Sequence, residues 1–521
     1  MTIMLTAFAH TWPALLAQAQ ASLPQTADYL RILPEIVLSI FGMIIMVVDP
    51  LLDPDRSHQS LGVIALIGSL TALVSCFCMA KQPGTAFWNM VRVEPFSVFF
   101  HVLAISIATI TILSSFEYLR VQRIRAGEYY GLILLGTVGM CLMSSAIELV
   151  LIFIALEISS ISTYILTGFR RHDAASSESS LKYFLLGSFA TAFFLYGVAL
   201  IFGATGSTNI DNISRALHSG LAPLPVLAYV ATAFLFIGLG FKVAAVPFHV
   251  WTPDVYEGAP SPIVGLMSTG PKAVAFAVLL RIMFEANLPG RFWLIWVSAA
   301  LTMTLGNLCA LVQNNIKRLL AYSSIAHAGY LLVAFTARPE LGTSAAMFYS
   351  AAYAAMNVGA FAVVSHLAGA REKYVALEDY AGLGRKSPVL AATLTFFLMS
   401  LIGIPITGGF FAKFYVLTAA LNSNLVGLTI ILVLNSALGA YYYLRIVVMM
   451  YMREPRKEAP VTPVPFALGM ALAACLAATL YLGLFPSRIL QYAQDSARQF
   501  VSPDVHKTSP STLASTPPDA R

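Results

Sequence analysis

The sequence predicts an all-α polytopic membrane protein: about fourteen transmembrane helices, with two inverted five-helix repeats that each contain a discontinuous helix. Three observations predict it. Hydrophobic residues make up 58% of the 521 and charged residues 11%, with mean hydropathy +0.77; a soluble protein carries about 25% charged residues. Apolar runs close to the ~20 residues that cross a bilayer recur along the chain. Two of these runs are too long for a simple span, and both hold proline, glycine and a lysine inside them.

The runs fall near 31–50, 61–80, 95–116, 129–146, 147–168, 182–203, 225–257, 260–284, 293–312, 319–336, 343–369, 388–421, 426–450 and 464–484. The seventh contains Lys242 and Pro247; the twelfth contains Gly403, Pro405, Gly408, Gly409 and Lys413. Each is the fourth span of a five-span unit, and interrupted segments at corresponding places in two halves point to a transport site. An odd number of spans per unit inverts the second relative to the first. The expected organisation is an N-terminal segment with three spans over 1–128 and a first unit over 129–284, discontinuous at 225–257. A second unit follows over 293–450, discontinuous at 388–421, then a last span over 464–484 and a disordered, Ser/Thr/Pro-rich tail over 501–521.

Links after odd-numbered spans collect most of the arginines and lysines, among them Arg120, Arg123, Arg125, Arg170, Arg171, Lys317, Arg318, Arg453, Arg456 and Lys457. The positive-inside rule places those links in the cytoplasm and both termini in the periplasm. The link after the seventh span has no basic residue and is a local exception. Residues 5–21 end in Ala-x-Ala but lack a preceding basic residue, so they read as an extended or interfacial segment rather than a cleaved signal. Lys317 and Arg318 read as cytoplasmic anchors, Arg281 and Arg445 as snorkelling span-end charges, Glu148 as a surface charge, and Glu35 as interfacial.

No P-loop, Rossmann glycine pattern or metal-ligand spacing is present, and the five cysteines lie in apolar runs without spacing partners. Nothing in the chain is expected to bind a nucleotide or carry electrons.

The candidate functional residues are the ionisable groups inside spans: Glu157 on the fifth, Lys182 on the sixth, Lys242 and His249 on the seventh, Lys272 on the eighth, His327 on the tenth and Lys413 on the twelfth. A charge at the bilayer centre costs about 2.5–3.5 kcal/mol on insertion scales, so it persists only against protein or a wet cavity. Two readings stand for each. Glu157 is a staple between helices or a carboxylate partner for Lys242. The lysines snorkel or exchange protons. His249 and His327 are hydrogen-bonded core residues or relays, since an imidazole titrates near neutrality. Burial disfavours the charged form of an amine and a nearby carboxylate restores it. A lysine whose acidic partner can approach and withdraw can therefore load and release a proton.

The stretches LKYFLLGSFA (181–190), FKVAAVPFHVWTPDVYEGAPSP (241–262), NNIKRLLAYSSIAHAGY (314–330) and GIPITGGFFAKF (403–414) resemble the antiporter-like membrane subunits of respiratory complex I, the proton-pumping NADH:quinone oxidoreductase. PFHVWTPDVYEGAP and the lysine at 413 match the N-type pattern of that family. The resemblance implies fourteen helices, Glu157 paired with Lys242, Lys272 as central relay, Lys413 in the exit-side half-channel and Lys182 as a modulator. It further implies that NADH, FMN, iron–sulfur clusters and quinone belong to partner subunits, and that the neighbours are M-type, L-type and small K-type membrane subunits in a bacterial inner membrane. A Mrp-type cation/proton antiporter subunit, which shares the fold, is the alternative.

Overall fold

The computed structural model describes residues 24–52, 59–125, 127–219, 225–454 and 462–501. The Ala-x-Ala segment, Arg56, Arg456, Lys457 and the tail beyond 501 lie outside the described residues.

Short helix α1 (Thr26–Arg31) leads into three long ones, α2 (Leu33–Val48), α3 (Gln59–Ala80) and α4 (Pro95–Gln122), with a two-stranded antiparallel hairpin, β1 (Gly84–Ala86) and β2 (Val91–Val93), before α4. The first repeat holds α5 (Gly127–Ser145), α6 (Leu149–Thr167), α7 (Ala174–Thr205), the surface helix α8 (Ile210–His218), the broken pair α9 (Pro225–Val243) and α10 (Trp251–Gly258), and α11 (Ser261–Leu280), which runs on as a π-helical turn, Arg281–Glu285. The second holds α12 (Arg291–Leu311), α13 (Ile316–Ala334), α14 (Pro339–Leu367), a short helix α15 (Leu383–Lys386), the broken pair α16 (Pro388–Ile402) and α17 (Gly408–Asn422), and α18 (Val426–Met452). Helices α19 (Phe466–Leu484) and α20 (Pro486–Val501) close the described chain.

Among the described residues, eleven helices are long and apolar enough to cross a membrane. The three other expected spans are present as helices that are shorter or less apolar: α5, α13 and the α16/α17 pair. For the α16/α17 pair the physical reason is the break, which leaves two 15-residue pieces; for α5 and α13 it is enclosure. Helix α13 buries seventeen of its nineteen residues, including Lys317, Ser323, Ser324 and His327, so protein rather than lipid sets its composition.

The repeat shows in backbone pairing. At the start of α6, Leu149 N donates to Thr208 O and Ile210 N to Ile147 O, both at 2.9 Å; at the start of α13, Ile316 N donates to Val375 O at 2.9 Å and Leu377 N to Asn314 O at 2.8 Å. Every partner is displaced by the same 167 residues (149 to 316, 208 to 375). Two close helix crossings keep that offset. A Cβ on Gly139 would lie 2.6 Å from Ser159 N, and one on Gly306 would lie 2.7 Å from Ala326 N, which is the close backbone approach that small residues permit between membrane helices. Five crossings separate the two pairings, so they sit on opposite faces: the units are inverted.

Both discontinuous helices break where the sequence places proline and glycine, and the backbone groups freed there find partners. Around 244–250, Phe241 O accepts the Trp251 indole N–H at 3.0 Å, Thr302 Oγ1 accepts Val246 N at 2.9 Å, and Ser298 Oγ donates to Val246 O at 3.1 Å. Broken helices inside a membrane require such rescue. Helix α20 was not expected from the polar sequence after the last span. It packs on α14 and α4, with Phe500 stacked on Phe96 at 4.4 Å between ring centroids.

Four charged residues take other roles than those expected from the sequence. Arg281 does not snorkel: it is fully buried, on Glu94 at 2.6 Å and Glu285 at 3.2 Å. Lys317 is fully buried, on Glu372 at 2.6 Å, rather than a headgroup anchor. Glu35 is 3% exposed and bonds His101 Nε2 at 2.8 Å. Glu148 caps α6, accepting from Leu151 N at 2.8 Å. For Arg281, Lys317 and Glu35 a partner distant in sequence takes the charge out of contact with headgroups or solvent, whereas half-buried Glu148 is held by its own helix.

Candidate functional site

The two broken helices place their lysines at opposite ends of one buried row. Lys242 lies in the last turn of α9, where carbonyls at the helix C-terminus favour a cation. Its Nζ donates to Ser160 Oγ at 2.7 Å and Tyr164 Oη at 3.2 Å on α6, and stands over the Tyr164 and Tyr183 rings at 5.2 and 5.9 Å. Glu157 sits one helical turn before Ser160. No ion pair joins Glu157 to Lys242 among the described residues, and Glu157 Oε1 is buried without a hydrogen-bond partner. The structure thus brings the acid beside the amine's hydroxyl partners with an acceptor oxygen left open.

From Lys242 the row continues through aromatic groups. Tyr183 stacks on Trp251 at 4.5 Å, Trp251 meets Tyr256 at 6.1 Å, and the Lys272 amine lies 5.9 Å from the Tyr256 ring. Lys272, 3% exposed on α11, donates to Ser324 Oγ at 2.6 Å on α13. One turn on, His327 takes Tyr349 Oη on Nδ1 at 2.6 Å and Tyr443 Oη on Nε2 at 3.2 Å. A narrow cavity with room for about one water molecule is lined by Lys272, His327, Tyr349 and Tyr353. His327 packs against the Tyr330 ring at 5.5 Å, and Lys413 lies over that ring at 5.1 Å. Lys413 Nζ donates to Ile402 O at 2.8 Å and Ser436 Oγ at 2.9 Å. The amine therefore caps a carbonyl left free where α16 ends.

Two candidates lie off this row. Lys182 is 41% exposed in its side chain and pairs with Glu178 at 2.7 Å and Asp254 at 2.8 Å. His249, in the break between α9 and α10, is half-buried, and its Nδ1 has no hydrogen-bond partner. The acidic end of the seventh span is neutralised from elsewhere in the fold: Arg318 reaches both Asp254 and Glu257 on α10 at 2.8 Å.

Sequence reasoning found the lysines and missed the groups that connect them: Ser160, Tyr256, Ser324, Tyr330, Tyr349 and Tyr443. Their one signal is position. Ser160 and His327 are separated by the same 167 residues, so the first unit uses a hydroxyl where the second uses an imidazole.

The family profile described as NADH:quinone oxidoreductase/Mrp antiporter, TM, matches residues 146–439, the stretch that contains Glu157, His327 and all three lysines of the row. The chain belongs to this family. It is 64% identical over 483 residues to NADH-quinone oxidoreductase subunit N 2 of Koribacter versatilis (strain Ellin345), covering 91% of this chain and 98% of that protein. It is similar to a chain in the structure of respiratory complex I from Thermus thermophilus with bound aureothin, with 36% identity and a TM-score of 0.76 over 88% of this chain and 98% of that one. A chain of the Mrp complex from Dietzia sp. DQ12-45-1b has a TM-score of 0.80 at 20% identity, over 92% of this chain and 98% of that one, and so shares the fold. The family's members are multi-pass membrane proteins, as is this chain.

Proposed function

We propose that this chain is the N-type proton-translocating membrane subunit of an NADH:quinone oxidoreductase. The observation that carries the reading is the unbroken polar and aromatic row from Lys242 through Lys272 and His327 to Lys413, in a chain 64% identical to a subunit N. Glu157 is the movable acid whose open oxygen can approach the Lys242 amine. Lys242 holds a proton at the first break, Lys272 and His327 pass it across the interface of the two units, and Lys413 holds it at the second break. Lys182, tied to Asp254 just after the first break, adjusts the field on Lys242, and His249, with its Nδ1 open, serves the entrance on that side. The units run over 129–284 and 293–450.

Driving each unit charge against 100 mV needs about 2.3 kcal/mol. That energy comes from redox chemistry in partner subunits, which hold NADH, FMN, iron–sulfur clusters and quinone. The neighbours in the membrane are M-type, L-type and K-type subunits, the membrane is a bacterial inner membrane, and both termini face the periplasm. The alternative, a Mrp-type antiporter subunit, has fold likeness at 20% identity in its support. Affinity purification of the tagged full-length chain from its host decides between them. Co-purification of an NADH-oxidising, quinone-reducing assembly supports the proposal. Sodium-dependent proton exchange, with no NADH oxidation, overturns it.

A further inference from the structure

On the face where the spans Leu33–Leu51 and Pro95–Gln122 end, a broad surface pocket is lined by five arginines against three carboxylates. Arg170 pairs with Asp173, and Arg171 with Glu128, both at 2.9 Å. Among the described residues, the guanidinium groups of Arg123, Arg125 and Arg371 have no ion-pair or hydrogen-bond partner, while the third carboxylate, Asp49, packs against Gly127, close to Arg125 in the chain.

The backbone holds these cations in place at a cost. Arg123 (φ 54°) and Arg371 (φ 56°) both adopt the left-handed region, as does the adjacent Glu372 (φ 49°), where glycine is the ordinary choice. The 369–372 loop is clamped there. Gln122 donates to Gly369 O at 2.9 Å and accepts from Arg371 N at 2.8 Å, and Arg170 donates to Arg371 O at 3.3 Å. Glu372 turns inward to Lys317, and Arg371 is left exposed at the pocket. Strained residues held by surrounding contacts mark functional positions more often than chance turns do.

We propose that this pocket binds the phosphate of an anionic phospholipid headgroup, bridging the N-terminal helices and the second repeat. Its depth favours a lipid over a soluble anion. The arginines sit at span ends, at headgroup level, and Leu51 (79% exposed) and Val121 (41% exposed) offer apolar surface beside it for an acyl chain.

The test is binding of phosphatidylglycerol, phosphatidylcholine or inorganic phosphate to the purified full-length chain in detergent, read by native mass spectrometry and by thermal shift. Phosphatidylglycerol is expected to bind and stabilise, and the other two are not. A surface arginine contributes about fivefold to anionic-lipid affinity. R125Q should therefore weaken binding about fivefold and R123Q/R371Q about 25-fold, while R215Q on the opposite face retains wild-type affinity. Equal binding of phosphatidylcholine, saturation by inorganic phosphate, or unchanged affinity in R125Q and R123Q/R371Q would each overturn the proposal. Because R125Q alters neither left-handed position, it keeps the test valid if the double variant folds poorly.

Discussion

Each lysine of the row is held by neutral partners. Lys272 has a serine, and Lys413 a serine and a carbonyl. A fixed ion pair would lock the charge; hydroxyls can accept from an ammonium or donate to an amine. Ser324→Ala should therefore slow proton transfer more than it destabilises the fold: deletion of one neutral hydrogen bond costs about 1 kcal/mol. Thermal unfolding and pumping measured on the same preparation check this. Glu372 behaves differently. Burial would raise its carboxyl, but the Lys317 and Arg170 charges, with hydrogen bonds from Lys317 and Ser261 N, hold it below its ordinary value. The stabilisation is present above the ordinary carboxylate range and is lost as pH falls through the lowered folded value. Glu372→Gln should cost about 3–5 kcal/mol at neutral pH by leaving Lys317 buried without its counter-charge. It should also flatten the acid limb of the stability curve. Acid unfolding monitored by circular dichroism reads both. At this scale the lysines were legible because a charge in an apolar run is an anomaly. Ser160, Ser324 and Tyr330 were not, because serine and tyrosine are ordinary in spans and only the fold brings them to the amines.

The elements obey close-packing rules that the sequence states only partly. Gly139 and Gly306 admit a neighbouring helix backbone at equivalent crossings. Gly306→Leu should push α12 from α13, at about 1–3 kcal/mol for overpacking, and disturb the α13 face that carries Ser324 and His327. Its thermal midpoint in detergent should fall, while Gly427→Leu, where a Cβ meets nothing within 4 Å, should leave the midpoint unchanged. The breaks in the seventh and twelfth spans were readable from Pro247, Gly403 and Pro405. Helix α20 was not, because its polar composition matches a tail; its apolar residues form a helical stripe that has meaning only against α14 and Phe96.

Across the whole molecule, inversion gives the row its geometry. Two breaks related by the repeat place Lys242 and Lys413 at its ends, with α11 and α13 supplying the middle. Buried ionic clusters brace the two membrane faces, Arg281 with Glu94 and Glu285 on one and Lys317 with Glu372 and Arg170 on the other. Arg281→Ala would strand Glu94 and leave Glu285 to Arg92 alone; it should cost about 3–5 kcal/mol, reducing the amount of assembled complex without changing the pumping ratio of what assembles. The inverted architecture was legible in the paired broken spans. The 167-residue offset that proves it was not, because equivalent residues such as Gly139 and Gly306 keep a packing role while their neighbours differ.

The most direct measurement is the proton-to-electron ratio of the assembled NADH:quinone oxidoreductase, reconstituted in proteoliposomes, with Lys272→Met in this chain. The account predicts a complex that assembles, oxidises NADH and pumps fewer protons per electron than wild type. A fully assembled variant with the wild-type ratio would contradict it.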